Sequence, residues 1–563
     1  MPDGGKASAI RLLSPTLWLD REIPNGTRHI FGSPRLSQCF RIHDIDPLDS
    51  AETQKRTRTL MRKLSLRVEA EVKWREHNFH EAKSWENPFL PSGYAYLFQF
   101  VGHDLVNTTT PYSSLTRNDG LSANVRRSAL RLETLYGDGP TATRFAYEPS
   151  ERHDGERVRL RLGRIQRDDR TIDAGCPFRD IARAPRDETH AIRPRELTEP
   201  LIADSRNDAH AILSQLTSVF ALLHNGIVSG LEGAEPPGRP TPARAHALFA
   251  KARTLCARVY RSVVKNDLLR RLLHPDIYRV YECGFLLDAA AAAEPGWKAP
   301  LEFSQGAIRF GHAMVRDEYR INDGATNDLI ENLAKTSLAD PQNMPLNESW
   351  VVQWSHFFEM DGGRNPNLSK RIGPHYSSGL ASERIFPAID DTRRVGLAYR
   401  DLMSSAFSGL WSLRSLIEEI RRRRPEFVRA SRLLDDHPWR QSELAEWLRE
   451  QRAFGGLDAD DITAISRDPP LSFYVQWEAM READGLRLGP VGSIVVAETV
   501  FAALATPVDE QSGRAGAIAI GADDFGTAYP APFERLSQAQ TMPDLISFVR
   551  DVCGLSHTVP AFA

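Results

Sequence analysis

Gly93-Tyr94-Ala95-Tyr96-Leu97-Phe98-Gln99-Phe100-Val101-Gly102-His103-Asp104-Leu105 is an apolar, aromatic run carrying two polar side chains four residues apart, Gln99 and His103. On a helix that spacing puts both on one face, one turn apart. An amide and an imidazole on an apolar face need polar partners once buried. A backbone carbonyl would satisfy a lone core histidine. A small polar ligand above a buried prosthetic group would satisfy both residues, and the remaining motifs weigh toward that reading.

The chain has 563 residues, 41% hydrophobic and 26% charged, with a formal net charge of -3. Length alone would suggest about two to four domains, and there is ample chain to enclose a prosthetic group. The balance of charge supplies no global field for nucleic acid or for a membrane surface. The run Arg421-Arg422-Arg423-Arg424 reads as the positive C-terminal end of a helix, because no aromatic residues interleave with it. The five cysteines, Cys39, Cys176, Cys256, Cys283 and Cys553, are widely spaced and form neither zinc nor disulfide patterns. The N-terminal residues Met1 to Lys6 lack the apolar core of a signal peptide. No apolar run reaches the roughly 18 residues of a membrane span, so a cytoplasmic location is expected.

Helical periodicity is expected around Lys55 to Lys73, 208–232, 243–290, Leu301 to Tyr319, Val395 to Glu419 and Ser472 to Leu504. Residues 117–200, rich in Arg, Asp, Gly and Pro, read as a long excursion over the surface. Strand signals are short and scattered, and there is no repeat or Gly/Ser linker. The expectation is a mainly α protein: one large helical domain over 85–563, with residues 1–84 as an N-terminal extension packed on it.

Four constellations carry chemistry: Gln99/His103; Asp204-Ser205-Arg206-Asn207-Asp208; Arg309-Phe310-Gly311-His312; and Arg400-Asp401. An arginine at a helix start opposes the dipole unless its guanidinium meets a carboxylate or polar ligand. Each motif alone has an ordinary structural explanation. Two separated histidines on apolar helices, with a glutamine and an arginine, are together the parts of a haem peroxidase site.

The chain resembles a bacterial member of the animal haem peroxidase (peroxidase–cyclooxygenase) superfamily over roughly residues 85–550. Six segments carry the likeness in order: Pro91 to Asp104; Leu135-Tyr136-Gly137-Asp138-Gly139-Pro140; Asp204 to Asn225; Arg309 to Arg316; Tyr399-Arg400-Asp401-Leu402 through Gly409-Leu410; and Arg487 to Glu498. The resemblance implies a haem buried between central helices. It implies that His103 is the distal histidine, Gln99 the distal glutamine and Arg206 the distal catalytic arginine. It makes His312 the proximal iron ligand and Arg309 the arginine reaching a haem propionate, for which a guanidinium is suited.

Departures from the family pattern refine the expectation. Relatives that bind haem covalently carry carboxylates where this chain has Gly102 and Ala209, so non-covalent haem b is expected. Without those bonds the ferryl state should be a weaker oxidant, favouring phenols, arylamines or easily oxidised halides over chloride. Asp401 stands where an asparagine usually partners the proximal histidine; a carboxylate there makes the imidazole more basic. Asp104 is the candidate calcium ligand, but Arg131 replaces a ligating aspartate and is expected to pair with Asp104 in the cation's place. That weighs against calcium, although Glu133 retains a metal-binding group. Arg309 replaces the radical-forming tyrosine of fatty-acid oxygenases.

The favoured function is therefore reduction of hydrogen peroxide with oxidation of a small-molecule electron donor, with no nucleic-acid partner and no membrane span. The alternatives are a specialised haem oxidase or oxygenase in a biosynthetic pathway, and a non-catalytic haem-binding homologue.

Overall fold

A computed structural model describes residues 28–31, 50–69, 72, 74, 83–108, 124–127, 130–167, 178–184, 198–234, 241–292, 296–360, 365–381, 396–450, 456–508 and 531–553. Cys39, Cys176, the N-terminal residues 1–27 and parts of the 117–200 excursion lie outside the described residues.

The fold is mostly helical, as expected, and the described residues include six short strands in three antiparallel pairs. These are β1 (Glu86–Pro91) with β6 (Leu368–Lys370), β2 (Tyr147–Pro149) with β3 (Arg157–Leu160), and β4 (Glu318–Asn322) with β5 (Ala325–Asp328). The principal helices are α1 (Ala51–Val68), α2 (Gly93–Leu105), α3 (Ala211–Ala234), α4 (Pro242–Val263), α5 (Leu397–Phe407), α6 (Leu413–Arg423), α7 (Leu471–Ala483) and α8 (Pro490–Ala505).

Apart from Gln99 and His103, every residue of α2 is buried, as suits a largely apolar helix enclosed by the rest of the protein. Its first amides are satisfied by neighbouring chain: Ser92 N donates to Asn367 O at 2.7 Å and Gly93 N to Phe357 O at 2.9 Å. Phe100 stacks on Phe220 of α3, with ring centroids 4.7 Å apart and an interplanar angle of 6°. Phe98 meets Phe310 at 4.6 Å. α2 thus forms the axis between α3 and the segment around His312.

That segment differs from the expected single helix over Leu301 to Tyr319. It is a π turn over Glu302–Gly306 followed by a 3₁₀ helix over Ala307–Met314, and Tyr319 lies on β4. Such departures from α geometry occur at functional sites. Val395 to Glu419 divides into α5 and α6, and Ser472 to Leu504 into α7 and α8. The second break follows from Asp484 and Gly485, both with positive φ, 51° and 71°.

The 117–200 stretch is not wholly superficial. Leu130, Leu132, Tyr136, Tyr147 and Val158 are fully buried. They pack in the one large hydrophobic core against α3 and α4. His224 of α3 is a satisfied core histidine: its Nε2–H donates to Val158 O at 2.9 Å and its Nδ1 accepts from Tyr136 OH at 3.0 Å. The basic run closes α6 as expected, with Arg422 and Arg423 paired to Glu419.

Residues Ala211–Gly233 of α3 are long and apolar enough by length and composition alone to cross a membrane, but several polar residues break the run and its most apolar stretch is mostly buried within the protein. Its apolar surface serves the core. α1 lies against the same body, with Arg67 stacked 3.4 Å over Trp447 and donating to Trp447 O at 2.9 Å.

Gly93→Ala tests how tightly α2 is seated. A Cβ there would stand 2.4 Å from Phe357 O and 2.5 Å from the Phe358 ring. Overpacking of this kind costs about 1–3 kcal/mol, and chemical denaturation should show a loss of that size.

Candidate functional site

A cavity of about 990 Å³ opens between α2, the turn before α3 and the 3₁₀ helix. Gln99, His103, Arg206, Arg309 and His312 all line it, so residues spread over more than 200 positions in sequence meet on one space. Asp401 lies just behind His312, and Asp104 is not on the cavity surface.

The His103 wall is built from the end of α2 and a 3₁₀ turn, Ser205–Asp208. The guanidinium of Arg206 joins them. It donates from Nε to Asp204 Oδ1 at 2.9 Å and from Nη2 to Asp204 Oδ2 at 2.6 Å. It also reaches carbonyls at the C-terminal end of α2, His103 O at 3.0 Å within the last turn and Val106 O at 2.8 Å just past it. A cation at a helix C-terminus is favourable, and these are carbonyls the helix itself leaves unpaired. The expected conflict of an arginine with a helix start is thus resolved by a carboxylate. Four of its five N–H groups are taken, leaving one on Nη1.

Arg126 reinforces the joint, donating to His103 O at 2.9 Å and forming a close ion pair with Asp204. Burial alone would raise the Asp204 pKa, but the hydrogen bonds and charge of Arg206, with Arg126, hold it well below the usual carboxylate range.

His103 Nδ1 is 2.9 Å from Asn207 Oδ1, while Asn207 Nδ2 donates to Thr134 Oγ1 at 3.1 Å. The amide oxygen therefore faces the ring, so Nδ1 carries the proton and Nε2 keeps a lone pair. Burial first, and then the charge of Arg206, push the His103 pKa down to about 4. The ring is neutral near pH 7 and able to accept a proton.

On the other wall, the 3₁₀ geometry eclipses positions i and i+3, which aligns Arg309 with His312. His312 Nδ1 donates to Asp401 Oδ2 at 2.6 Å. The same oxygen accepts from Tyr376 OH at 2.8 Å, and Gln476 Nε2 donates to Tyr376 OH at 3.0 Å. His312 Nε2 is then the ring nitrogen open to the cavity. Arg309 Nη1 stands 3.7 Å from Asp401 Oδ1, and Arg309 Nε is buried with no hydrogen-bond partner among the described residues.

The region around Asp104 differs from expectation. Arg131 donates to Pro507 O, at 2.9 Å from Nε and 2.6 Å from Nη2, rather than taking a cation's place beside Asp104. The guanidinium acting most strongly on Asp104 belongs to Arg126. Asp104 accepts from Leu132 N at 3.0 Å and Thr134 N at 3.1 Å. Burial still pushes its pKa up to about 6. Glu133 Oε2 accepts from Arg127 N at 2.9 Å. Among the described residues no three His, Cys, Asp or Glu side chains group as a metal cage.

Sequence reasoning passed over four residues. Asn207 lay inside a quoted motif without a role. His210, one residue before α3, donates from Nε2 to Gln99 Oε1 at 2.9 Å; an imidazole at the start of an apolar helix was the signal available. Tyr376 and Gln476 come from distant segments with no pattern linking them to His312.

A family model described as "Animal haem peroxidase" matches residues 154–366, a span that holds Arg206, Arg309 and His312 but not Gln99, His103 or Asp401. Peroxidase A from Dictyostelium discoideum has a similar structure, with a TM-score of 0.50, 13% identity and coverage of 89% of this chain and 90% of that one. Oryza sativa fatty acid alpha-dioxygenase gives a TM-score of 0.54 at 12% identity, covering 90% of this chain and 80% of that one. A variant of the same enzyme solved with palmitic acid gives 0.53 at 13% identity, covering 97% and 88%. At these identities the likeness is one of fold. No curated protein matches by sequence.

Removing the Arg206 charge should favour the His103 imidazolium. In Arg206→Met the His103 pKa should rise from about 4. Burial, the larger cause, should keep it below the ordinary value of about 6.5. Histidine proton shifts followed by NMR over pH would check both limits.

Proposed function

We propose that the chain is a haem-dependent peroxidase of the peroxidase–cyclooxygenase superfamily, a reading supported by the family model matched over residues 154–366 and by the likeness of fold to a solved peroxidase. It would use hydrogen peroxide to oxidise a small organic donor, aromatic by preference, or an easily oxidised halide. Residues 85–563 would be its catalytic domain and 1–84 an extension packed on it. One observation carries this reading. Two imidazoles from different elements border one cavity, each with Nδ1 tied to a protein acceptor and Nε2 left available.

The residues fit a haem. His312 offers Nε2 as an axial ligand, with Asp401 orienting the ring and raising its basicity. Arg309, with its buried unpartnered Nε, suits a propionate carboxylate. A volume of about 990 Å³ is at the upper end of ordinary ligand pockets. Gly102 and Ala209 carry no carboxylate, and a Cβ on Gly102 would already meet Ile308 Cδ1 at 2.7 Å. This supports non-covalent haem b. When bound, haem would supply the iron at which the peroxide O–O bond is cleaved and through which electrons pass from the donor.

The chain's own groups divide the remaining work. His103 Nε2 takes the proton from one peroxide oxygen and returns it to the departing oxygen. The Nη1–H of Arg206 not used by the joint stabilises the negative charge on that oxygen. Asn207 holds His103 in the tautomer this requires.

Fatty-acid oxygenation is the second reading. Leu329, Leu333, Leu338, Leu380 and Leu397 line the cavity, Leu338 being 75% exposed, which suits an apolar substrate. The solved relatives include fatty acid alpha-dioxygenases. Arg309 stands at the position where the resemblance puts the oxygenases' tyrosine, which favours the peroxidase reading. Oxygen uptake with palmitic acid, but no reaction with peroxide, would reverse the choice.

The purified protein should show a Soret band, and acid–acetone should extract all of its haem. No Soret band would overturn the haem reading, and haem left on the protein would overturn non-covalent attachment. His103→Leu should slow the reaction with peroxide by about 10²–10⁴-fold. In the unaltered protein that rate should be level at neutral pH and fall as acid protonates His103 through about 4. Asp401→Asn should raise the midpoint potential and weaken haem binding by about 10–100-fold, read by potentiometry and haem titration.

A further inference from the structure

Most buried ionisable groups outside this site have evident structural work. His224 ties α3 to β3. Glu498 accepts from Tyr281 and from the amides of Leu287 and Asp288. Asp267 holds Tyr94 OH, Met542 N and Arg271. His210 differs from these, because it borders the cavity and its partner is a cavity residue.

His210 is 3% exposed. The Leu213 amide, in the first turn of α3, donates to its Nδ1 at 3.2 Å. That nitrogen must therefore hold a lone pair, and the ring proton resides on Nε2. Nε2–H then donates to Gln99 Oε1 at 2.9 Å. Tyr96 packs on the ring, with centroids 5.0 Å apart and planes at 61°. Burial, with the nearby His103, also keeps the ring neutral, pushing its pKa down to about 3.

The constraints run in one direction. A helix amide sets the tautomer, and the tautomer sets the sense of the Gln99 amide. With Oε1 on His210, the Gln99 NH₂ is the end left over. It has no protein partner among the described residues, and it lies one turn from His103 on the cavity wall. The reverse sense would turn a carbonyl toward the cavity and repel an anion or a lone pair.

We propose that His210 is a positioning residue that holds the Gln99 amide as a hydrogen-bond donor to a small acceptor bound beside His103. This rests on the haem-site reading for what that acceptor binds to, but the orientation of the amide does not depend on haem.

Two measurements test it. In haem-free protein with ¹⁵N-labelled histidine, His210 should show the Nε2–H tautomer; an Nδ1–H tautomer would overturn the proposal. In the haem-loaded ferric protein, fluoride is titrated optically as the acceptor. His210→Asn keeps an acceptor for the Leu213 amide but is too short to reach Gln99. It should weaken fluoride binding about tenfold, the scale of one lost hydrogen bond to an anion. His210→Gln places an amide N–H near the former Nε2 and should restore most of that affinity. Gln99→Leu should lose about as much as His210→Asn, and the double variant should lose no more than either. Unchanged affinity in His210→Asn, equal losses in the Asn and Gln variants, or additive losses in the double variant would each overturn it. Failure to acquire a Soret band would instead sink the haem reading, and the tautomer result would still decide the orientation of Gln99.

Discussion

The bond between Asp204 and Arg206 is what the His103 wall depends on. A planar guanidinium can serve several acceptors in fixed directions. Here it spans the carboxylate of its own 3₁₀ turn and carbonyls at the C-terminal end of α2. One side chain thus ends a helix, docks a turn and brings a cation beside an imidazole. Such a buried pair gains from its geometry only if its remaining polar atoms are also satisfied. Arg126 and Thr134 complete Asp204 in that way. The same charge that secures the wall also helps keep His103 neutral, so structural support and chemical readiness have one source.

The opposite wall solves a different problem. His312 must present one nitrogen to a cavity while its other is held rigidly. An α-helical repeat would distribute Gln305, Arg309 and His312 differently. The π turn followed by 3₁₀ geometry brings Arg309 and His312 into line. Asp401 then serves His312 and Tyr376 with a single oxygen. Gly102 and Gly311 allow the two walls to approach, because a Cβ at either would press on Ile308 or on Phe98.

Much of this was legible in the chain. The helical character followed from periodicity, and Gln99, His103, Arg206, Arg309 and His312, each within a short motif of the sequence, line one cavity. Helix ends were less legible. The breaks between α5 and α6 and between α7 and α8 depend on local backbone choices that an apolar pattern runs straight through. The end of the His312 helix at Met314 was hidden for the same reason, since Tyr319 continues the apolar pattern while lying on a strand. Arg131 was assigned by position in a motif, yet its long side chain turns to Pro507 O, and Arg126 stands nearer in effect to Asp104.

The sequence by itself determined the inventory: which imidazoles, guanidiniums and carboxylates exist, and that Gly102 and Ala209 cannot supply a carboxylate. It also determined the amphipathic and apolar segments that must bury themselves. Only the tertiary structure decided which nitrogen of each histidine is protonated, which end of Gln99 faces the cavity, and that Tyr376 and Gln476 stand behind Asp401. The physical reason is that tautomer, amide sense and pKa are properties of hydrogen-bond partners and burial. Those partners come from segments far apart in the chain, and no local pattern encodes which of them will meet.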